Sequence, residues 1–170
     1  MKRHHHELNI GCTQFFPGPI DEVQAFLWDF HNLERYIPHV LEVRNLEGPG
    51  TDAASQLLQM TMRTDIGSRI TIVTERKLEH HLICYQQRKL PPFLRSHSGQ
   101  WLLCEDGSDT LVYLNHKIGI DYEAACRFFE TEVPDEIFAK AGDLVKRAGI
   151  RSLEGLKSGW MQELNALKRA

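Results

Sequence analysis

The spacing of apolar and polar positions changes its period twice along the chain. An opening run over residues 7–15 has strand character and stops at Pro17-Gly18-Pro19. A helical period follows, which predicts a first helix with Asp21 as its N-cap and a second short helix over residues 32–36. The apolar face of the first helix is made of Val23, Phe26, Leu27 and Phe30.

A period of two then holds through the middle of the chain, where six strand-length runs are separated by Gly, Asp, Pro or charged turns. The intervals are too short for crossover helices, so the predicted sheet is antiparallel. The runs cover residues 40–46, 55–63, 69–77, 82–88, 97–104 and 110–119. Together with the opening strand they make seven strands.

The last of these runs indicates which of its side chains face the core. Val112, Leu114, His116 and Ile118 share one face of the strand, so His116 is predicted to point inward among aliphatic neighbours. Residues 122–132 follow as an amphipathic connector with two adjacent phenylalanines. This connector is predicted to form a short helix over the mouth of a cavity.

The helical period returns at Pro134 and holds to about residue 168, which predicts a helix roughly 50 Å long. Four glycines interrupt its apolar stripe, although each costs about 1 kcal/mol relative to Ala inside a helix. Two interpretations stay open: close packing of the helix on the sheet, or backbone left bare for a ligand. The glycines are Gly142, Gly149, Gly155 and Gly159.

Composition favours a soluble protein with a single domain over residues 1–170, since 42% of the residues are hydrophobic and 25% are charged. A net charge of -3 argues against nucleic-acid or anionic-membrane partners.

The four cysteines are dispersed without metal-ligand spacing, which predicts neither a disulfide framework nor a metal site. His4-His5-His6 is interpreted as a solvated terminus, and without an apolar signal segment a cytoplasmic location is expected.

Several short segments stand in a fixed order along the predicted elements. They are Trp28-Asp29-Phe30 with Tyr36-Ile37-Pro38, Thr74-Glu75-Arg76-Lys77, Leu90-Pro91-Pro92-Phe93 before Ser98-Gly99-Gln100-Trp101, Asn115-His116, Pro134-Asp135-Glu136 and Arg151-Ser152-Leu153. Over nearly its whole length the chain thereby resembles the START-like helix-grip (SRPBCC) superfamily, and within it the bacterial aromatic polyketide aromatase/cyclases. The resemblance implies an α+β fold: a curved seven-stranded antiparallel sheet around a long C-terminal helix, two short helices after the first strand, and an internal cavity.

The resemblance also implies an activity in polyketide antibiotic biosynthesis. Such enzymes receive a poly-β-ketone chain from an acyl carrier protein, fold it in the cavity, and promote aldol closure and dehydration to an aromatic ring. This chemistry requires groups that move protons and a cation or hydrogen-bond donor for the enolate oxygen. It implies no metal and no cofactor, and it leaves the oligomeric state open, with a homodimer as one option.

The resemblance places the acid/base residue at His116, and imidazole titrates near neutral pH. It places the cation at Lys77 or, one residue earlier, at Arg76. Only one of these two can face the cavity, because adjacent strand residues point to opposite sides. The more apolar neighbours accompany Arg76, which favours Arg76 inward if a bulge shifts the register.

Two positions depart from the fullest version of the family pattern: Ser152 replaces an aspartate on the final helix, and Val73 replaces a strand tryptophan. Altered regiochemistry and loss of catalysis both stay open as consequences. Ser152 is expected to position the chain, since a hydroxyl is no general acid at neutral pH. The expected substrate-binding residues are Trp101, Tyr85, Val73, Trp28, Gly149, Leu114 and Phe129.

Arg88, Lys89 and Arg95 flank the apolar 91–93 turn. This basic rim would suit an acidic carrier protein. The rim could equally be a solvated loop. A second function remains in the same fold: a non-catalytic carrier of an apolar ligand, such as a quinone or a lipid, with His116 as an anchor.

Overall fold

The computed structural model describes residues 7–48, 54–65 and 67–169. All seven predicted strands and both predicted short helices are present, and most boundaries agree within a few residues. The elements are β1 (Glu7–Phe16), α1 (Ile20–Trp28), α2 (His31–Tyr36), β2 (Val40–Asn45), β3 (Ser55–Arg63), β4 (Arg69–Glu79), β5 (Leu82–Lys89), β6 (Leu94–Asp106), β7 (Asp109–Ile120), α3 (Tyr122–Phe129) and α4 (Pro134–Leu167).

The seven strands form one sheet in the order β1-β7-β6-β5-β4-β3-β2, and every neighbouring pair is antiparallel. Consecutive strands from β2 to β7 pair with each other, as short connections require. β1 joins the far edge beside β7. This curved sheet around α4 confirms the predicted α+β helix-grip architecture.

The prediction that Asp21 caps α1 is wrong. The helix begins one residue earlier at Ile20, and Pro19 is the N-cap with extended backbone. Asp21 therefore lies in the first turn, where its negative charge still interacts favourably with the helix dipole.

The inner face of the sheet packs against α1 and α4 through two hydrophobic clusters. The larger cluster joins the sheet to α1 and the C-terminal half of α4 and includes Phe16, Phe26, Leu58, Ile83, Leu114, Leu153 and Trp160. The smaller cluster joins the sheet to α3 and the N-terminal half of α4 through Phe93, Leu94, Ile118, Ile120, Ala125, Ile137, Ala141 and Val145. The boundary between the clusters crosses β7 between Leu114 and Ile118, which is the position of His116.

Two glycines of α4, Gly155 and Gly159, allow close packing of the helix against Tyr36, which favours the packing interpretation at these two positions. A Cβ on Gly155 would lie 2.3 Å from the Tyr36 carbonyl oxygen, and a Cβ on Gly159 would lie 2.2 Å from the Tyr36 ring. A Cβ on Gly142 would make an ordinary 3.6 Å contact with Leu8. The fourth, Gly149, faces His116.

The histidines of segment 4–6 lie outside the described residues. Cys12, Cys84, Cys104 and Cys126 are all free thiols in the structure. Among the residues that the structure describes, none of the helices is apolar and long enough to span a bilayer.

Candidate active site

Four polar side chains and one glycine form a row in register across five neighbouring strands of the inner face. Gln56 of β3 pairs with Arg76 of β4, and Arg76 pairs with Tyr85 of β5. Tyr85 pairs in turn with Gly99 of β6, and Gly99 pairs with His116 of β7. Residues paired in this way share a face of the sheet and have Cβ atoms about 5 Å apart. The row therefore brings the predicted cation and the predicted acid/base residue to the same side of the sheet, with Tyr85 between them.

Gly99 lets Tyr85 reach His116. A Cβ at this position would lie 2.0 Å from the Asn115 carbonyl oxygen and 2.5 Å from the Tyr85 hydroxyl. Because no side chain stands there, the Tyr85 ring lies across β6, and its hydroxyl makes a short hydrogen bond with Nδ1 of His116. The glycine is thus required by the close approach of the ring.

A second histidine completes the cluster around Tyr85. His97 Nε2 lies 3.1 Å from His116 Nδ1 and 3.3 Å from the Tyr85 hydroxyl. The three side chains meet edge to face or at tilted angles, with ring centroids between 5.2 and 6.0 Å apart. We call Tyr85, His97 and His116 the histidine cluster.

Burial sets the protonation states of the histidine cluster. Desolvation lowers the pKa of His116 from 6.5 to about 4. Desolvation and the neighbouring His116 lower the pKa of His97 to about 3. Burial raises the pKa of Tyr85 above its ordinary range, so at neutral pH the cluster consists of two neutral imidazoles and a protonated phenol.

His116 keeps one ring nitrogen free. Its Nδ1 side is engaged by Tyr85 and His97, whereas Nε2 is buried without a hydrogen-bond partner among the described residues. An imidazole held at one nitrogen can accept or donate a proton at the other, with its tautomer set by the hydrogen bonds on the held side. The free nitrogen is therefore the chemically available atom of the cluster.

The inner face holds several other buried polar atoms without partners in the described chain. Such atoms cost about 1–3 kcal/mol each when left unsatisfied, so a group of them in one place marks a site for a polar ligand or ordered water. The set comprises Gln56 Oε1, Thr74 Oγ1, Arg76 Nη1, Gln87 Oε1, His97 Nδ1 and His116 Nε2. Thr74 pairs with Gln87, two residues along β4 from the Arg76–Tyr85 pair and on the same face of the sheet, so these atoms belong to adjacent rows.

The structure places Arg76 inward and Lys77 outward. Arg76 shares the inner face with Ile72 and Thr74, and the pairing of β3 with β4 runs without a shift, so the inward orientation needs no bulge in that ladder. Lys77 is exposed over 58% of its side chain and pairs with Glu75. Of the two candidate cations, Arg76 is therefore the one that faces the inside of the sheet.

Arg76 also stabilises the C-terminal end of α1. Its Nη2 donates a 2.7 Å hydrogen bond to the Leu27 carbonyl at the C-terminal end of α1, and its guanidinium lies 4.8 Å from the Trp28 ring centroid. Cations stabilise helix C-termini, where carbonyls lack partners within the helix. Burial lowers the pKa of Arg76 to about 10, with Asp29 opposing the shift, so the group stays charged at neutral pH.

Ser152 and Gly149 have different relations to the histidine cluster. The Ser152 hydroxyl donates a 2.8 Å hydrogen bond to the Ala148 carbonyl of its own helix, so its proton is already engaged. Gly149 lies directly against the cluster, because a Cβ there would be 2.7 Å from His116 Nε2. Val73 lies on the face of β4 opposite to Ile72 and Arg76 and does not join the inner row.

The remaining predicted residues lie on both sides of the cluster. Trp101 pairs with Leu114, so both belong to the apolar row next to the polar one. Phe129 packs against Phe93, with the two ring centroids 5.2 Å apart, at the end of the sheet that α3 covers. The basic rim residues occupy the ends of β5 and β6 at this same end, where Arg88 forms an ion pair with Glu75.

His97 and Gln56 are candidate site residues that the sequence analysis missed. The alternation of β6 carries a signal for His97, because it stands at even spacing from Gly99 and Trp101 on the inner face. Gln56 likewise precedes the inward Leu58 on β3 and donates to the Trp28 carbonyl at 3.2 Å. A polar residue at an inward strand position was the usable signal in both cases.

No protein-family model matches the chain, and no curated relative matches it. Solved structures do match. The di-domain ARO/CYC proteins StfQ, from the steffimycin biosynthetic pathway, and BexL, from the BE-7585A biosynthetic pathway, are each 20% identical to the chain with TM-scores of 0.82 and 0.78. The matches cover 94% and 89% of this chain but 52% and 49% of those proteins, so the chain spans about half of their length.

The Zhui aromatase/cyclase from Streptomyces sp. R1128 matches over nearly the whole of both chains. Its TM-score is 0.79 at 20% identity, over 94% of this chain and 96% of its own. At this level of identity the likeness establishes the fold, which is the START-like helix-grip fold.

Proposed function

We propose that this chain is a polyketide aromatase/cyclase that folds a carrier-bound poly-β-ketone against the inner face of its sheet and promotes aldol closure and dehydration. The observation that carries the proposal is the row of buried polar groups with unpartnered atoms, above all the free Nε2 of His116. Arg76 Nη1 and Thr74 Oγ1 can donate to carbonyl oxygens of a poly-β-ketone, whereas Gln56 Oε1 and Gln87 Oε1 can accept from its enol hydroxyls. The structural likeness to aromatase/cyclases supports the same reading.

His116 would handle the protons. Its neutral imidazole can take a proton from a carbon between two carbonyls, and the imidazolium can return that proton to the alkoxide that forms when the enolate carbon attacks a ketone. In the dehydration the imidazole takes a second C–H proton and delivers it to the hydroxyl, which leaves as water. An enolate forming beside the ring would raise the low pKa of His116, because an opposite charge favours the protonated form. Tyr85 and His97 would stabilise either state through Nδ1. Aldol closure forms a C–C bond and dehydration expels a water molecule, and neither step needs an external oxidant or reductant, so the proposal needs no redox cofactor.

Arg76 would bind the carbonyl oxygens, in keto or enolate form, that lie further along the chain from His116, because β4 is three strands from β7 and the two residues are therefore about 14 Å apart. Its Nη1 has no partner among the described residues, and its Cβ is one strand away from that of Tyr85. A buried guanidinium acts strongly on a nearby anion because little solvent screens it. Trp101 and Leu114 would line the apolar side of the ring as it becomes aromatic.

The test is reconstitution of the full chain with a minimal polyketide synthase. We expect the protein to change which aromatic product accumulates, and His116→Gln to abolish that change. His31→Gln is the matched control, since the His31 side chain is 68% exposed and binds Asp29 away from the row. An unchanged product profile with folded wild-type protein would refute the proposal.

A non-catalytic carrier of an apolar ligand remains the second candidate, and one observation favours it. The Ser152 proton is engaged in its own helix and Arg76 Nη2 is engaged at the end of α1, so fewer polar groups are free for catalysis than the fullest version of the family pattern implies. Under this reading a quinone or lipid would bind tightly, His116→Gln would weaken binding, and no polyketide product would change.

A further inference from the structure

A second site lies at the end of the sheet that also holds the basic rim. There, α4 faces the start of β2 and the turn between β3 and β4 across a pocket of about 630 Å³. We call it the arginine pocket. It is lined by Pro38, His39, Arg63, Thr64, Asp65, Arg147, Ile150 and Arg151.

The arginine pocket is basic although the chain as a whole carries a net charge of -3. Arg147 and Arg151 are four residues apart and so project from the same side of α4. Asp65 reaches both of them, at 3.9 Å from Arg147 and 2.8 Å from Arg151. Since Arg63 adds a third guanidinium, the single carboxylate leaves an excess of positive charge in the pocket.

Two buried nitrogens of the pocket have no hydrogen-bond partner among the described residues: Arg151 Nε and His39 Nδ1. A guanidinium Nε can only donate, so satisfying it requires an acceptor from outside the described chain. Burial and the neighbouring Arg151 lower the pKa of His39, which keeps that imidazole neutral and able to donate through one nitrogen. An anion with several oxygens would satisfy both nitrogens.

The pocket is long enough for more than an isolated ion. Pro38 and Arg151 also line a second pocket of about 560 Å³, which continues along α4 past Tyr36 to Gln162. The interval from Arg147 to Gln162 corresponds to about 22 Å of helix. The two adjoining pockets together have the length for an extended ligand whose charged end lies among the arginines.

We propose that the arginine pocket binds the phosphate ester of an extended ligand, namely the phosphodiester-linked arm on which a carrier protein presents its acyl chain. This assignment of the arm rests on the proposed function. The two charged oxygens and two ester oxygens of a phosphodiester point to the corners of a tetrahedron, so they reach donors on different sides of the pocket better than the two coplanar oxygens of a carboxylate.

The experiment measures binding to the full chain by titration calorimetry, with phosphopantetheine, pantetheine and inorganic phosphate as separate probes. We expect phosphopantetheine to bind at least about tenfold more tightly than pantetheine, as charge-assisted hydrogen bonds imply. Arg151→Met should remove this difference. Arg44→Met is the matched control, because Arg44 is an exposed arginine paired with Glu42 on β2.

Each outcome decides the assignment. Equal binding of phosphopantetheine and pantetheine would overturn the phosphate site. Inorganic phosphate bound as tightly as phosphopantetheine would overturn the arm and leave a site for free phosphate. If Arg151→Met does not fold, Arg63→Met replaces it, since Arg63 is exposed on the pocket wall.

The binding experiment is independent of turnover, so its failure differs from failure of the proposed function. Phosphate-dependent binding with an unchanged product profile would refute the cyclase proposal and keep the pocket. A changed product profile without phosphate-dependent binding would support the cyclase proposal and refute the phosphate site in the arginine pocket.

Discussion

Gly149 of α4 leaves room for the free nitrogen of His116. A Cβ on Gly149 would lie 2.7 Å from His116 Nε2 and 3.3 Å from Cys12 Sγ, and the first distance is too short for a carbon against a nitrogen. The helix can thus approach β7 only because residue 149 lacks a side chain. The same contact holds the imidazole between the helix and Tyr85.

We predict opposite effects for alanine at two glycines of α4. Gly149→Ala should displace the His116 ring, lower the free energy of unfolding by about 1–3 kcal/mol through overpacking, and reduce any activity that depends on Nε2. Gly142→Ala should raise the free energy of unfolding by about 0.5–1 kcal/mol, because its Cβ would meet Leu8 at an ordinary 3.6 Å. Urea denaturation of both variants measures the difference, and equal effects would contradict the close contact at Gly149.

Tyr85→Phe tests the hydroxyl at the centre of the histidine cluster. Removing it takes away the hydrogen bond to His116 Nδ1 and should cost about 1 kcal/mol of stability, while the ring still packs across Gly99. We expect the imidazole proton resonances of both His97 and His116 to shift in the NMR spectrum. Tyr113→Phe is the control, since Tyr113 lies on the outer face and is 37% exposed. Unshifted His116 resonances in Tyr85→Phe would refute the contact.

Arg76→Met and Lys77→Met should differ in stability although they are neighbours. Arg76→Met removes the charge-assisted hydrogen bond that Leu27 accepts, together with the contact over Trp28, and should cost about 2–3 kcal/mol. Lys77→Met should change the free energy of unfolding by less than about 0.5 kcal/mol, because it removes only a solvated ion pair. Chemical denaturation distinguishes them, and similar losses would show that the guanidinium is not the cap of α1.

The sequence was sufficient for the order of elements because each strand alternates cleanly and each turn carries its own breaker residues. It was also sufficient for the inward side of β7, where three aliphatic neighbours fix the orientation of His116. The sequence left the orientation of Arg76 open; in the structure Arg76 alternates in phase with Ile72 and Thr74, and the one register shift of β4 lies between Val73 and Thr74 in its pairing with β5.

Tertiary contacts decided the rest. Gly155 and Gly159 accommodate Tyr36, which lies more than a hundred positions away in sequence, so no local pattern could assign them. The pairing of Tyr85 with Gly99 and of Gly99 with His116 depends on the register of three strands. A shift of one residue in any of these strands would turn its side chains to the opposite face of the sheet. The capping of α1 by Arg76 is a long-range contact of the same kind.

The stability of the protein should fall on acidification through the histidine cluster. An unfolded histidine binds its proton near pH 6.5, whereas folded His116 does so only near pH 4, so between these values the unfolded chain holds more protons. Stability therefore rises with pH across this window, and His116 alone accounts for at most about 3 kcal/mol. Urea denaturation from pH 7.5 to 4 should show this slope in the wild type and a shallower one in His116→Gln. His31→Gln, which changes an exposed histidine, should keep the wild-type slope; an equal slope in His116→Gln would show that the ring is not held neutral by burial.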